Sequence, residues 1–137
     1  MKKIEWVKTF KYLGLLFDAP TLTWTEHIED TCRQGLQRVN VIKAMAGLTW
    51  EAERELRLKV YLAYVRPKLT YGITAVSSAA GTRLEKLNKI QNAALRIALG
   101  AKITSPIAAL QADAHVTPLH NYIKELNCRY YYTISAQ

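Results

Sequence analysis

Hydrophobic side chains follow two different rhythms along this chain, and the change between them falls near residue 20. Over 4–18, Ile4, Trp6, Val7, Phe10, Tyr12, Leu13, Leu15 and Phe17 are β-compatible aromatics and aliphatics, with Gly14 inside the second run. This pattern predicts one or two short strands. Asp18-Ala19-Pro20 breaks it, because proline restricts its predecessor as well as itself and has no amide to donate. Everything beyond Thr21 reads as helix.

Thr23-Trp24-Thr25-Glu26 fits a capping box, in which the threonine hydroxyl accepts from the third helical amide and the glutamate reaches back. Ile28, Cys32, Leu36, Val39, Ile42 and Ala46 then keep the three-and-four spacing of one buried stripe, and Gly47 offers a left-handed stop. Arg33, Arg38 and Lys43 are left to face water or a partner. Thr49 is placed to cap a second helix, with Glu51 and Glu53 in its first turn. Leu56, Leu58, Val60, Tyr61, Leu62, Ala63 and Val65 surround most of that helix, which predicts the most buried helix of the fold. Pro67 should kink or divide it, making 68–78 either a bent continuation or a separate short helix. Thr82 and Glu85 repeat the capping-box signal and predict a helix over 83–99, ended by Gly100. Ser105-Pro106 and Thr117-Pro118 each set a cap residue before a proline at the first helical position. Two more helices follow, the last running into Tyr130-Tyr131-Tyr132. The expected fold is mainly α: a short N-terminal β-strand or hairpin, then a bundle of about five helices, with no internal repeat and no low-complexity linker.

Composition narrows the class. Half of the 137 residues are hydrophobic and 22% charged, enough for one globular domain with a modest core. With 19 Lys and Arg against 11 Asp and Glu, the net charge of +8 favours polyanionic partners, although solubility alone would tolerate it. The longest apolar run, 12–17, falls far short of the roughly 18 residues of a membrane span. Met1, Lys2 and Lys3 resemble the start of a signal peptide, but Glu5 and Lys8 interrupt the segment where its apolar core should stand. The expected compartment is therefore intracellular, nucleus or cytoplasm. Cys32 and Cys128, without Cys-x-x-Cys spacing, read as two reduced, partly buried thiols.

Candidate chemistry is sparse. Metal-dependent polymerase or nuclease sites need converging carboxylates, and the aspartates are Asp18, Asp30 and Asp113 alone. Glu29-Asp30, the sole adjacent acidic pair, reads as a solvated helix face. His115 and His120 fall on different faces, with Pro118 between them. His27 reads as a surface or cap-proximal side chain rather than a base. No catalytic residue and no metal ligand is assigned. The cations are more informative: Arg83, Lys86, Lys89 and Arg96 project from one helix within an arc of about 140°, at about 100° per residue. Leu84, Leu87, Ile90, Ala94, Leu95 and Ala98 run opposite. Such a stripe presents cations at phosphate-like spacing, or is an ordinary solvated face. Trp6, Trp24, Trp50 and the terminal tyrosines suit core packing or base stacking, with packing favoured for the tryptophans.

Tyr12-Leu13-Gly14-Leu15-Leu16-Phe17-Asp18, with Leu22-Thr23-Trp24 and His27-Ile28, resembles the segment just after the catalytic palm in reverse transcriptases of non-LTR retrotransposons, the jockey-like and LINE-like elements. Later motifs keep that family's order. Tyr64-Val65-Arg66-Pro67-Lys68-Leu69-Thr70-Tyr71-Gly72 is similar to its next helical landmark. Leu87, then Ile90-Gln91-Asn92-Ala93-Ala94-Leu95-Arg96-Ile97-Ala98-Leu99-Gly100-Ala101, is similar to the one after it, followed by Thr104-Ser105-Pro106 and Pro118-Leu119. The residues carrying the resemblance are Tyr12, Leu13, Gly14, Trp24, Pro67, Tyr71, Gly72, Gln91, Arg96 and Gly100. It implies a division into 1–20, a β remnant adjoining the palm, and 21–137, a thumb-and-connection-like region.

In that family the thumb clamps template and nascent strand. The resemblance thus implies binding of RNA, DNA or an RNA–DNA hybrid through Arg83, Lys86, Lys89, Arg96 and Lys102, without a catalytic centre or cofactor on these residues. The parent polymerase would use Mg2+ held in its palm. Two departures stand out: Ile73-Thr74-Ala75-Val76-Ser77 lacks the tryptophan usual after the Tyr-Gly pair, and the palm's paired aspartates are missing. A structural or protein-interaction module without nucleic-acid binding is the alternative, and a helix-turn-helix regulator a weaker third.

Overall fold

The structure, a computed structural model, describes residues 3–47 and 53–137. Leu13 and Gly14 both adopt positive φ, 48° and 82°, as in the two-residue turns whose twist suits a hairpin. They join β1 (Thr9–Tyr12) to β2 (Leu15–Asp18), antiparallel, with Tyr12 opposite Leu15 and Thr9 opposite Asp18.

The end of β2 starts the first helix. Asp18 Oδ1 accepts from the amides of Thr23 (2.8 Å) and Trp24 (3.0 Å), and Oδ2 from the amide of Thr25 (3.2 Å) and the Thr23 hydroxyl. Trp24 turns into the left-handed region (φ 61°), and α1 (Thr25–Met45) follows. The expected Thr23–Glu26 capping box does not form, because Asp18 has taken the hydroxyl and the free amides. Nor is Gly47 a left-handed stop. The helix closes through the Ala46 amide, which returns to Ile42 and Lys43.

The buried stripe of α1 is rotated from the expected one. It runs through Ile28, Thr31, Gly35, Val39, Ile42 and Met45, leaving Leu36 50% exposed and Cys32 half-buried. Gly35 explains the rotation: a Cβ there would stand 2.7 Å from Leu69 Cδ2 and 3.4 Å from Ile90 Cγ2. Two other helices thus approach α1 on its glycine side. Cys128 is exposed rather than partly buried.

The expected cap at Thr49 with Glu51, and Trp50, lie outside the described residues. Helix α2 (Arg54–Val60) runs into a π-turn (Tyr61–Val65) and then α3 (Arg66–Leu69). Here Pro67 does not end the helical path. The π-turn, in which the Arg66 amide reaches the Tyr61 carbonyl five residues back, precedes the proline, and the helix continues to Leu69. This segment is not buried all round, as its composition suggested. Arg57, Tyr61, Val65 and Leu69 form one buried row, while Leu56, Leu62 and Tyr64 face outward. Gly72 (φ 66°) then reverses the chain into a separate single turn, α4 (Ile73–Val76). Its Ile73 and Val76 are buried.

Helix α5 (Gly81–Leu99) forms as expected but without the Thr82–Glu85 box; Ala80 caps it through its carbonyl, and Glu85 accepts from Asn88 instead. Three of its last four carbonyls find partners. Gly100 is left-handed, its amide returns to Ile97 and that of Ala101 to Arg96 (2.8 Å), and Arg57 Nε donates to the Ala98 carbonyl at 2.8 Å. Helices α6 (Ile107–Asp113) and α7 (Leu119–Ser135) start one residue later than expected, so Pro106 and Pro118 occupy the cap positions themselves. Helices α1 and α5 make the most extensive contact, with α2–α3 against both and α7 over α4 and α5. The fold is mainly α, a hairpin followed by five helical rods and the α4 turn among the described residues. No helix among them is long and apolar enough to cross a membrane.

Replacing Gly72 with alanine should cost about 1–3 kcal/mol, since it strains a left-handed φ and meets Leu15 Cδ2 at 2.5 Å. Gly81→Ala, with nothing within 4 Å of a new Cβ, should be neutral or stabilising by about 0.4–1 kcal/mol. The urea denaturation midpoint should therefore fall for the Gly72 variant and stay or rise for the Gly81 variant. Burial raises the Asp18 pKa, but the hydrogen bonds from Thr23 and the amides of Trp24, Thr23 and Thr25 outweigh it and hold it below the ordinary 3.8. Its contribution is then full above pH 3.8 and lost as pH falls through the lower folded value. Asp18→Ala should lower stability at pH 7 by about 1 kcal/mol and flatten this acid limb in thermal melts across pH 2–7.

Candidate nucleic-acid interface

The α5 cations occupy one flank of the helix, but the structure gives them different surroundings. Arg83 is half-buried and its Nη1 donates to the Thr23 carbonyl at 3.2 Å, bracing the start of α1. Lys86 Nζ lies 3.5 Å from Glu29 Oε1, an exposed pair of small energetic weight. Lys89 is exposed. Arg96 is half-buried with its Nε buried and unpartnered, and it shares a cleft of about 510 Å3 with Lys43, from the last turn of α1, and Ile97. Lys102 stands exposed past the Gly100 turn. Lys86 meeting Glu29 and Arg96 meeting Lys43 show that α1 and α5 run parallel, so the stripe lies along one flank of that helix pair. Cys32 is half-buried on the same flank of α1 as Glu29; burial raises its thiol pKa, with Lys86 lowering and Glu29 raising it.

A second basic cluster was not assembled by sequence reasoning. Arg38 Nη1 donates to the Tyr64 carbonyl at 2.7 Å, and its guanidinium carbon sits 4.5 Å from the centre of the Tyr64 ring. Arg38, Lys68, Pro67 and Tyr71 line a recess of about 280 Å3. Arg38 was legible only as a residue free to face a partner. Nothing in its spacing from Lys68 announces that two helices bring them together.

Several of the residues that carry the family resemblance turn out to be joints. Tyr71 Oη donates to the Leu13 carbonyl at 2.7 Å, and its ring closes on Gly14, where a Cβ would be 3.0 Å from Cε1. Gly72 makes room for Leu15. Trp24 is buried, tilts against Phe17 with ring centres 5.1 Å apart, and donates from Nε1 to Ser78 Oγ at 3.1 Å. Gln91 is wholly buried, accepting from Tyr61 Oη at 2.6 Å and donating to the Thr117 carbonyl at 3.0 Å. Burial raises the Tyr61 phenol, so it remains a donor.

Other expectations are corrected. His27 is buried rather than superficial: its Nδ1 accepts from the Leu16 amide at 3.3 Å, fastening β2 to α1. Burial and Lys68 lower its pKa, with Asp30 opposing, so it stays a neutral acceptor to lower pH than usual. Trp6 is 99% exposed instead of packed, and all three terminal tyrosines are exposed. Asp30 accepts from Arg33 and Gln34 on its own helix. Among the described residues no three His, Cys, Asp or Glu side chains gather as a group that could hold a metal ion.

Tyr61→Phe or Gln91→Leu leaves a buried polar partner unsatisfied, and each should cost about 1–3 kcal/mol in equilibrium unfolding. Combined, the two substitutions should cost less than the sum of the single effects, because neither orphaned group remains on that bond.

No family model matches the chain, and no solved structure matches it. Over 122 residues, 89% of its length, the chain is 26% identical to the RNA-directed DNA polymerase from mobile element jockey of Drosophila funebris. It spans 13% of that protein's length. The chain is thus distantly similar, over nearly all of itself, to a small part of a retrotransposon reverse transcriptase.

Proposed function

We propose that this chain is a thumb-and-connection-like segment of a mobile-element RNA-directed DNA polymerase, and that it grips template or primer nucleic acid without performing the polymerase reaction. The similarity across 89% of the chain carries this reading. The cations aligned along one flank of the α1–α5 pair support it, Lys89 and Lys102 being exposed and Lys86 engaged only in a weak surface pair. In this reading 1–20 adjoin the palm and 21–137 form the gripping body. The Mg2+ chemistry belongs to palm carboxylates outside the described residues, and the partners are RNA, DNA or their hybrid inside a cell. Binding would be sequence-independent and sensitive to salt, each phosphate contact adding about 0.9 for duplex, or 0.7 for single strands, to the slope of log affinity against log salt.

One observation favours a second role for the same segment. Ile4, Trp6, Phe10 and Tyr12 are exposed on and before β1, and the hairpin pairs with no further strand among the described residues. Such a surface suits packing against the rest of a polymerase.

Fluorescence anisotropy with labelled RNA, DNA and hybrid duplexes at two salt concentrations tests the grip. Lys86→Glu with Lys89→Glu should weaken binding at least tenfold and make the salt slope shallower by about 0.7–0.9 per lost contact. Unchanged binding in the double variant would remove the α5 flank from the interface. No binding by the parent chain at low salt would favour the packing role alone.

A further inference from the structure

We propose that the recess between α1 and α3 lined by Arg38, Lys68, Pro67 and Tyr71 holds one phosphodiester of a single-stranded nucleic acid, with a neighbouring base stacked on Tyr71. Two cations from separate elements converge there, both half-buried, and neither forms an ion pair with a carboxylate among the described residues. A concave surface that carries two cations and no paired carboxylate favours an anion. Arg38 is already fixed for that role. Its bond to the Tyr64 carbonyl and its stack on the Tyr64 ring hold the guanidinium in place while using one of its five donors.

The rings specify the class of anion. Tyr71 is pinned through its hydroxyl to Leu13, so its ring is presented edge-fixed and 52% exposed beside the cations. Cation beside aromatic ring matches the alternation of phosphate and base along a single strand, whereas a duplex keeps its base faces covered. A volume of about 280 Å3 suits a phosphate and part of its sugar, leaving the base outside on the ring. Arg38 lies about 180° around α1 from Glu29, at about 100° per residue, so this site is on the opposite flank from the α5 stripe. The assignment rests on the nucleic-acid reading of the chain but is independent of that stripe.

The test is a titration of the isotope-labelled full chain with hexathymidylate at low salt, monitored by amide chemical shifts. Saturating shifts should centre on Arg38, Lys68 and Tyr71 and persist in the Lys86→Glu, Lys89→Glu variant. Lys68→Gln should weaken binding and reduce the salt slope by about 0.7. Tyr71→Leu should weaken it about tenfold, while Tyr71→Phe, which loses the tether but keeps the ring, should bind more nearly as the parent does. Shifts confined to α5 would overturn the recess and leave the stripe standing; no shifts anywhere would overturn both. Equal shifts from inorganic phosphate at the same concentration would also overturn the proposal, since the ring would then contribute nothing.

Discussion

Three helices meet at a residue with no side chain. Leu69 of α3 and Ile90 of α5 both reach the surface of α1 at Gly35, and the space a Cβ would need is already filled by Leu69 Cδ2. Close packing of this kind fixes the rotation of each helix about its own axis, because displaced methyl groups have few alternative positions in a dense interior. From that contact follow the burial of Val39 and Ile42, the parallel course of α1 and α5, and the flank along which the α5 cations lie. The outward position of Arg38 follows as well.

Around this junction, polar bonds work mainly as locators. Asp18 joins a strand end to a helix start, His27 joins β2 to the first turn of α1, and Tyr71 joins the hairpin turn to the end of α3. Gln91 connects the π-turn to the loop before α7. Individually such bonds add little net stability, but each leaves an expensive unsatisfied group if its partner is lost. Motif residues that resemble those of a polymerase family therefore have a sufficient physical role in holding elements in place, whatever nucleic acid the surface meets.

Much of this was legible in the sequence where local chemistry decides. The Asp18-Ala19-Pro20 break, the α5 helix and its Gly100 end are set by residues next to one another, and they appear where expected. The failures share a cause. Thr23 and Thr82 carry local capping signals, yet the carboxylate at the end of β2 or a bare backbone carbonyl does the capping. Periodicity placed Leu36 in the buried stripe, but a glycine one residue earlier drew the neighbouring helices to its own side. His27 carried no mark of the hairpin that would cover it. Of the candidate surface, the α5 stripe could be read because one helix presents it, whereas the Arg38–Lys68 recess exists only through tertiary packing.

The π-turn has a consequence of phase. On a regular α-helix each step of four residues overshoots a full turn by about 40°, so Arg57, Tyr61, Val65 and Leu69 would fan across about 120°. All four are nevertheless buried, because the wider turn at Tyr61–Val65 winds back part of that drift before α3 begins. The turn acts as an angular spacer, setting the direction in which Lys68, Tyr71 and Gly72 leave the core. Shortening it by one residue would leave composition almost untouched yet rotate α3 and the Tyr71-Gly72 pair by about 100°, carrying the hairpin anchor away from the hairpin. Chain length at this point is therefore constrained by geometry more tightly than residue identity is.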